Sequence, residues 1–267
     1  MPGARHGGDP RRMSRLVRLS APSLLIVVLL AAWEAACRLL HVPVYFLAPP
    51  SAIGSALVAD APSLLAAAAY TIANALAALV IASLLGQALA VLAALSEIFE
   101  RAVQPITVTL QVTPVIAIAP LVVIWAGTDH PERAIVALAV IVAFFPVYSG
   151  ALTGLKSADA DLMRLFDLYG ATPWQRLARL RAPSAVPFVL EGHKVAAGLA
   201  IVGAVVAEFV AGSGKVRGLA WRILDAGYRL QTARMFAALF VLGLMGAVLY
   251  ALLQAAERAG LKWWRGR

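Results

Sequence analysis

Residues 153–183 read TGLKSADADLMRLFDLYGATPWQRLARLRAP, a polar, charged island with long apolar runs on both sides of it. Leu155, Leu162, Leu165, Phe166 and Tyr169 recur at near-helical spacing and make one apolar stripe. Asp159, Asp161, Arg164 and Asp167 fall mostly off that stripe. Gly170 is placed to end the helix, because glycine tolerates the positive φ of a C-terminal cap. Thr172-Pro173-Trp174-Gln175 restarts it: Thr172 can cap, Pro173 suits the first helical position, and Gln175 completes a capping box. The second helix carries Trp174, Leu177 and Leu180 and is expected to stop before Pro183. Two readings are open on this pattern. One is a solvated hairpin that merely joins its neighbours. The other is a docking element, favoured by the stripe and by Trp174, since an unpartnered loop gains little from such groups.

The flanking runs set the class. The chain has 267 residues, 61% hydrophobic and only 14% charged, with a mean hydropathy of +0.83. Soluble domains are nearer half apolar and a quarter charged. A crossing helix needs about 20 mainly apolar residues. Segments 24–40, 72–95, 106–126, 134–152, 186–210 and 236–253 meet or approach that length. The expectation is an all-α integral membrane protein of six transmembrane helices. Pro114, Pro120 and Pro146 are expected to kink the third and fourth spans without breaking them.

Orientation follows from the cations, which favour the cytoplasmic side. An N-in, C-in arrangement puts Arg5, Arg11, Arg12, Arg15 and Arg18 on that side, together with Arg101, the island's Lys156, Arg164, Arg176, Arg179 and Arg181, and the tail's Arg258, Lys262, Arg265 and Arg267. Arg133, Lys215, Arg217, Arg222, Arg229 and Arg234 lie opposite, and the five from Lys215 to Arg234 oppose the bias. The membrane reading absorbs the net charge of +9 without nucleic acid. Arg11-Arg12 and Cys37 faintly resemble a twin-arginine signal and a lipoprotein cysteine, but Glu34 stands where a lipoprotein signal wants Leu, and a retained first span is expected. The single cysteine allows no internal disulfide and no cysteine metal site.

Few residues inside the spans carry chemistry. Glu34 and Arg38, four apart, read as a structural ion pair. Asn74, Ser83 and Gln87 read as interhelical glue. Glu191 and His193 allow a proton relay, against the plainer reading that they pair with each other or with nearby loop charges. Two apart on a helix, they do not share a face, which counts against an intramembrane enzyme. Residues 211–234 read as an amphipathic interfacial helix against headgroups or as a docking surface. No Gly-x4-Gly-Lys-Ser/Thr phosphate loop occurs, so any ATP chemistry needs a separate subunit.

Gly170, nine residues, then Leu180-Arg181-Ala182-Pro183 resembles the loop signature of binding-protein-dependent ABC transporter permeases, which reads Glu-Ala-Ala, three residues, Gly, nine residues, Ile-x-Leu-Pro. Its acidic start is absent: Arg164, Leu165 and Phe166 stand there, a relaxation found in the nitrate/sulfonate/taurine-type branch. Phe46-Leu47-Ala48-Pro49-Pro50-Ser51 is similar to that branch's Leu-Pro-Ser-Pro stretch after span one. Thr113-Pro114 through Ile124-Trp125-Ala126-Gly127 resembles its Pro-rich third span, and Gly192-His193-Lys194, Gly198-Leu199-Ala200 and Val206-Ala207-Glu208 its fifth.

The resemblance implies a type I ABC importer-like permease domain over 20–258, with basic cytoplasmic tails at 1–19 and 259–267, in the inner membrane. It implies a coupling helix within 153–183 whose Phe166, Asp167, Gly170, Ala171, Thr172, Trp174 and Pro183 contact an ATP-binding subunit. Lys194 and Glu208 become pathway or gate candidates, Glu208 standing where the family has an acidic residue before the outer loop. Partners implied are two ATP-binding subunits, a second copy of the permease, an extracytoplasmic solute-binding protein and membrane lipid. The chain would hold no cofactor of its own, ATP being hydrolysed by the partner. It would be no enzyme, and its solute would be a sulfonate, nitrate, taurine or similar small molecule. A secondary transporter without an ATPase stands as the alternative.

Overall fold

A computed structural model describes residues 10–127, 129–211 and 217–265, with side chains from Leu24 onward except at 263 and 265. Every regular element among the described residues is helical. Contacts divide the chain into two units: one runs to Ala61 and takes in Ala226–Ala237, the other comprises Pro62–Asp225 and the chain from Ala238 onward.

In the first unit, helix α1 (Pro10–Leu39) leads through a turn to α2 (Pro50–Ala59). α1 begins inside the stretch expected to be a basic tail, with Pro10 at its first position, where proline's fixed φ suits a helix. Leu24 to Leu30 are all exposed, as lipid-facing residues should be. α2 has Pro49 at its N-cap and no capping side chain of its own. Glu34 of α1 supplies the cap: its carboxylate accepts the Ser51 amide at 3.0 Å and the Ser51 hydroxyl at 2.8 Å, and pairs with Arg38 at 2.6 Å. The Glu34–Arg38 pair expected from the spacing therefore forms, with a capping role that spacing did not reveal. Trp33 meets Phe236 edge-on at 5.8 Å, and Arg234 pairs with Asp60 at 2.9 Å.

The second unit is built on α3 (Ala61–Leu95), α6 (Pro131–Lys156) and α9 (Ala182–Val210). Ala75, Ala78 and Ala82 of α3 pack with Ala139 and Ala143 of α6 and Ala196, Ala200 and Ala204 of α9 in one buried cluster. Lipid tails are as apolar as leucine, so burial gives little drive between spans, and small residues that let backbones approach take its place. A Cβ on Gly203 would lie 2.7 Å from the Ala139 Cα, and one on Gly192 would lie 2.7 Å from the Pro146 carbonyl oxygen.

Segment 106–126 differs from the kinked span expected of it. It falls into α4 (Glu97–Val112) and α5 (Val115–Ala126), which meet at 101°. Pro114 has no N–H to donate, and its ring pushes Thr113 out of the helical region, to φ −71° and ψ 122°. The remaining elements are α7 (Ala160–Leu168), α8 (Pro173–Arg176), α10 (Leu219–Tyr228) and α11 (Thr232–Arg265). α11 carries helix through most of the expected C-terminal tail. Among the described residues four helices are long and apolar enough to cross a membrane: Ala61–Leu95, Pro131–Lys156, Pro173–Val210 and Thr232–Lys262. The bent pair α4–α5 passes the same test when taken together.

Candidate docking hairpin and the polar contacts around it

The island folds as helix, turn, helix, with hydrogen-bonded caps on both sides of the turn. Asp159 caps α7, its carboxylate accepting the amides of Asp161 at 2.8 Å and Leu162 at 3.0 Å. Gly170 follows α7 at φ +65°, the left-handed conformation glycine adopts without strain. The Ala171 amide donates to the Phe166 carbonyl and the Gly170 amide to the Asp167 carbonyl, both at 3.0 Å, the two bonds of a Schellman motif. Thr172 and Gln175 then form the reciprocal capping box of α8, at 3.2 and 2.8 Å. Arg176 spans the turn, pairing with Asp167 at 2.6 Å and donating to the Ala171 carbonyl at 3.0 Å.

Both arms are tied down. Lys156, in the last turn of α6, binds both carboxylate oxygens of Glu100 in α4, at 2.6 and 2.5 Å. Arg181 donates to the Ala94 carbonyl at 2.6 Å, satisfying an acceptor that the end of α3 leaves open. Two expectations are corrected. Leu155 belongs to α6, where it is buried against the core, so the island's stripe begins at Leu162. The second helix does not stop before Pro183. It continues from α8 through a π turn at Leu177–Arg181 into α9, the Ala182 amide donating to the Leu177 carbonyl. The extra residue per turn gives the Pro183 ring room that an α-helix would deny it.

The hairpin presents an apolar tip: Leu168 is 85% exposed, Tyr169 83% and Trp174 66%. Of the residues singled out in the sequence, Asp167, Gly170, Thr172, Trp174 and Pro183 are exposed, and Phe166 and Ala171 half-buried. Phe166, Asp167, Gly170, Ala171, Thr172 and Trp174 lie along one connected hairpin held by its caps and by Arg176, while Pro183 lies beyond the π turn in the first turn of α9.

The intramembrane candidates lie apart from it. Lys194 bridges Glu191 on its own helix and Glu257 of α11, the latter at 3.0 Å. His193 meets the Val189 carbonyl at 2.7 Å through Nδ1 and Gln87 at 3.4 Å through Nε2, so Glu191 and His193 have separate partners and make no relay. Glu208 is fully buried. It accepts from the Thr71 hydroxyl of α3 at 2.7 Å and from the Ala220 amide at 2.9 Å. The Leu219 amide donates to that same Thr71 oxygen at 2.9 Å. In the expected outer helix, α10 is present; residues 212–216 beside it lie outside the described residues.

Neither Lys194 nor Glu208 lines a cavity of about 550 Å³ between the α4–α5 break, α6 and α9. Gln111, Thr113, Ser149 and Thr153 supply its neutral polar groups, and Phe145 and Phe188 part of its apolar wall. The sequence reading missed it, because its lining is dispersed over four helices and mostly apolar. Pro114 was the one local signal.

Residues 86–259 match the family described as binding-protein-dependent transport system inner membrane component. The chain is 31% identical to a probable ABC transporter permease protein of Haemophilus influenzae, over 88% of this chain and 94% of that one. It is 32% identical to the formylaminopyrimidine transport permease protein ThiX of Halalkalibacterium halodurans, over 94% of this chain and 98% of that one. It is 29% identical to the taurine transport system permease protein TauC of Escherichia coli, over 94% and 91% respectively.

Proposed function

This chain belongs to the binding-protein-dependent ABC transporter permeases, the inner membrane components of such systems, and from that premise we propose that it forms the translocation pathway of an importer driven by ATP hydrolysis on a separate subunit. The observation that carries the reading is the capped hairpin with Leu168, Tyr169 and Trp174 exposed at its tip. A short element locked by a Schellman turn, a capping box and Arg176 transmits a push that a loose loop would absorb. Phe166, Asp167, Gly170, Ala171, Thr172, Trp174 and Pro183 would then form or support the surface seated in a groove of the ATP-binding subunit.

In this reading the chain crosses the inner membrane six times, α1 and the α4–α5 pair each counting once, with both termini cytoplasmic. Two copies pair, two ATP-binding subunits sit beneath them, and a solute-binding protein delivers the solute from the other side. The cavity at the α4–α5 break supports a pathway along α6 and α9. Lys194, paired with two carboxylates, and Glu208, enclosed on all sides, would shape that pathway from behind. The solute is a small organic or inorganic molecule of the sulfonate, nitrate, taurine or heterocycle kind. Relatives carry names that range from taurine to formylaminopyrimidine, which supports selection by the binding protein.

The test is a mild-detergent pull-down of tagged chain from native membrane beside Gly170→Arg. The wild type is expected to bring down an ATP-binding subunit, and Gly170→Arg to lose it, since the substitution strains the turn and sets a charge beside the tip. A wild type that brings no ATPase would sink the importer reading and leave a secondary transporter.

A further inference from the structure

Glu208 occupies a position that no local pattern explains. α10 starts with Gly218 in front of it and has no side chain there to take the free amides of its first turn. The Glu208 carboxylate, from α9, takes them instead. Oε2 accepts the Ala220 amide at 2.9 Å, and the Trp221 amide donates to the carboxylate as well. The Leu219 amide goes to Thr71 Oγ1 at 2.9 Å, and that hydroxyl donates to Glu208 Oε1 at 2.7 Å. Oxygen acceptors at this end of a helix answer amides that no turn of the helix itself can satisfy. Thr71 and Glu208 are both fully buried. Gly218 is required by this packing: a Cβ there would lie 2.1 Å from the carboxylate.

The other end of the same helix is the docking hairpin. Pro173–Val210 is one apolar helical rod of 38 residues, through α8, the π turn and α9, about 57 Å at 1.5 Å per residue. Its first turn holds Trp174 and its last holds Glu208.

We infer that Glu208 is a positioning residue that clamps the N-terminus of α10 to α9 and α3, so that a displacement at the hairpin moves α10 at the far end of the rod. The inference rests on the proposed function, because it takes the hairpin as the point where the ATP-binding subunits push. α10 is then part of the moving machinery at the opposite membrane face. The clamp is stiff for a physical reason. Three elements share one carboxylate and one hydroxyl, and no water competes where both are enclosed.

The test uses the full complex of chain and ATP-binding subunits in lipid nanodiscs. Cys37→Ala removes the single native thiol, which is buried, and Arg222→Cys places a reporter at an exposed position of α10. The labelling rate with an impermeant maleimide is read with and without Mg-ATP and vanadate, which trap the ATP-binding subunits closed. With Glu208 intact, trapping is expected to change the rate. In Glu208→Ala that change is expected to vanish, while the ATP-binding subunits still co-purify. Gly218→Ala should do the same by displacing the carboxylate. Thr71→Val, which keeps the shape and removes the link to α3, serves as the readout if Glu208→Ala does not accumulate, and it too should lose the change. A reporter that responds equally in these variants, or that does not respond with Glu208 intact, overturns the inference. Loss of the ATP-binding subunits from the unaltered chain would instead overturn the proposed function beneath it.

Discussion

At the scale of single residues, three glycines of α9 show what the sequence leaves out. Gly192, Gly198 and Gly203 look equivalent there, all small positions on an apolar helix. The fold separates them. A Cβ on Gly203 meets the Ala139 Cα at 2.7 Å, whereas one on Gly198 meets nothing within 4 Å. Gly203→Ala is therefore expected to destabilise by about 1–3 kcal/mol through overpacking against backbone that cannot yield. Gly198→Ala is expected to be neutral or to stabilise by up to about 1 kcal/mol, the helix-propensity gain. Thermal unfolding of the two variants in one detergent checks this, and an equal loss in both would refute the close α6–α9 contact. The spacing of small residues announces that a face is packed. It does not say which of them touches, because that depends on where a second helix crosses.

Among the elements, the hairpin was the most legible from sequence. Gly170, Thr172 and Gln175 act through bonds to groups within a few residues, so a local pattern could specify them, and the turn and capping box follow it. The π turn was not legible, since it reconciles Pro183 with packing that only the tertiary fold defines. Arg176 was counted in the sequence as a charge for orientation, and its two bonds across the turn went unseen. Asp167→Asn is expected to cost under about 1 kcal/mol, as exposed ion pairs usually do. Arg176→Ala should cost more, because the Ala171 carbonyl loses its donor as well. Amide exchange across 167–176 measures both. Faster exchange in Arg176→Ala, with recovery of the ATP-binding subunit reduced in step, is the expected result. Unchanged exchange would mean that the caps alone hold the turn.

For the whole molecule, the decisive question is whether the α4–α5 pair crosses the membrane or turns back. Its length and composition permit either, and a 101° bend suits a re-entrant loop as well as a broken span. Ion pairing favours the crossing proposed above. Glu100, in the first turn of α4, binds Lys156 in the last turn of α6, so these two ends lie at one membrane face. Arg181 reaches the Ala94 carbonyl at the end of α3, which puts the start of α9 at that face too. α6 is a continuous apolar helix of 26 residues, so its first turn lies at the opposite face. On this reading the chain crosses between Glu100 and Pro131, where α4 and α5 are the helices among the described residues. In Cys37→Ala background, an impermeant maleimide should therefore label Ile98→Cys and Tyr169→Cys from the cytoplasmic side, and His130→Cys from the other. All three native positions are exposed. Labelling of Ile98→Cys and His130→Cys from one side would make the pair re-entrant, remove one crossing, and force the chain's two halves into a different orientation from the one its Lys and Arg residues favour.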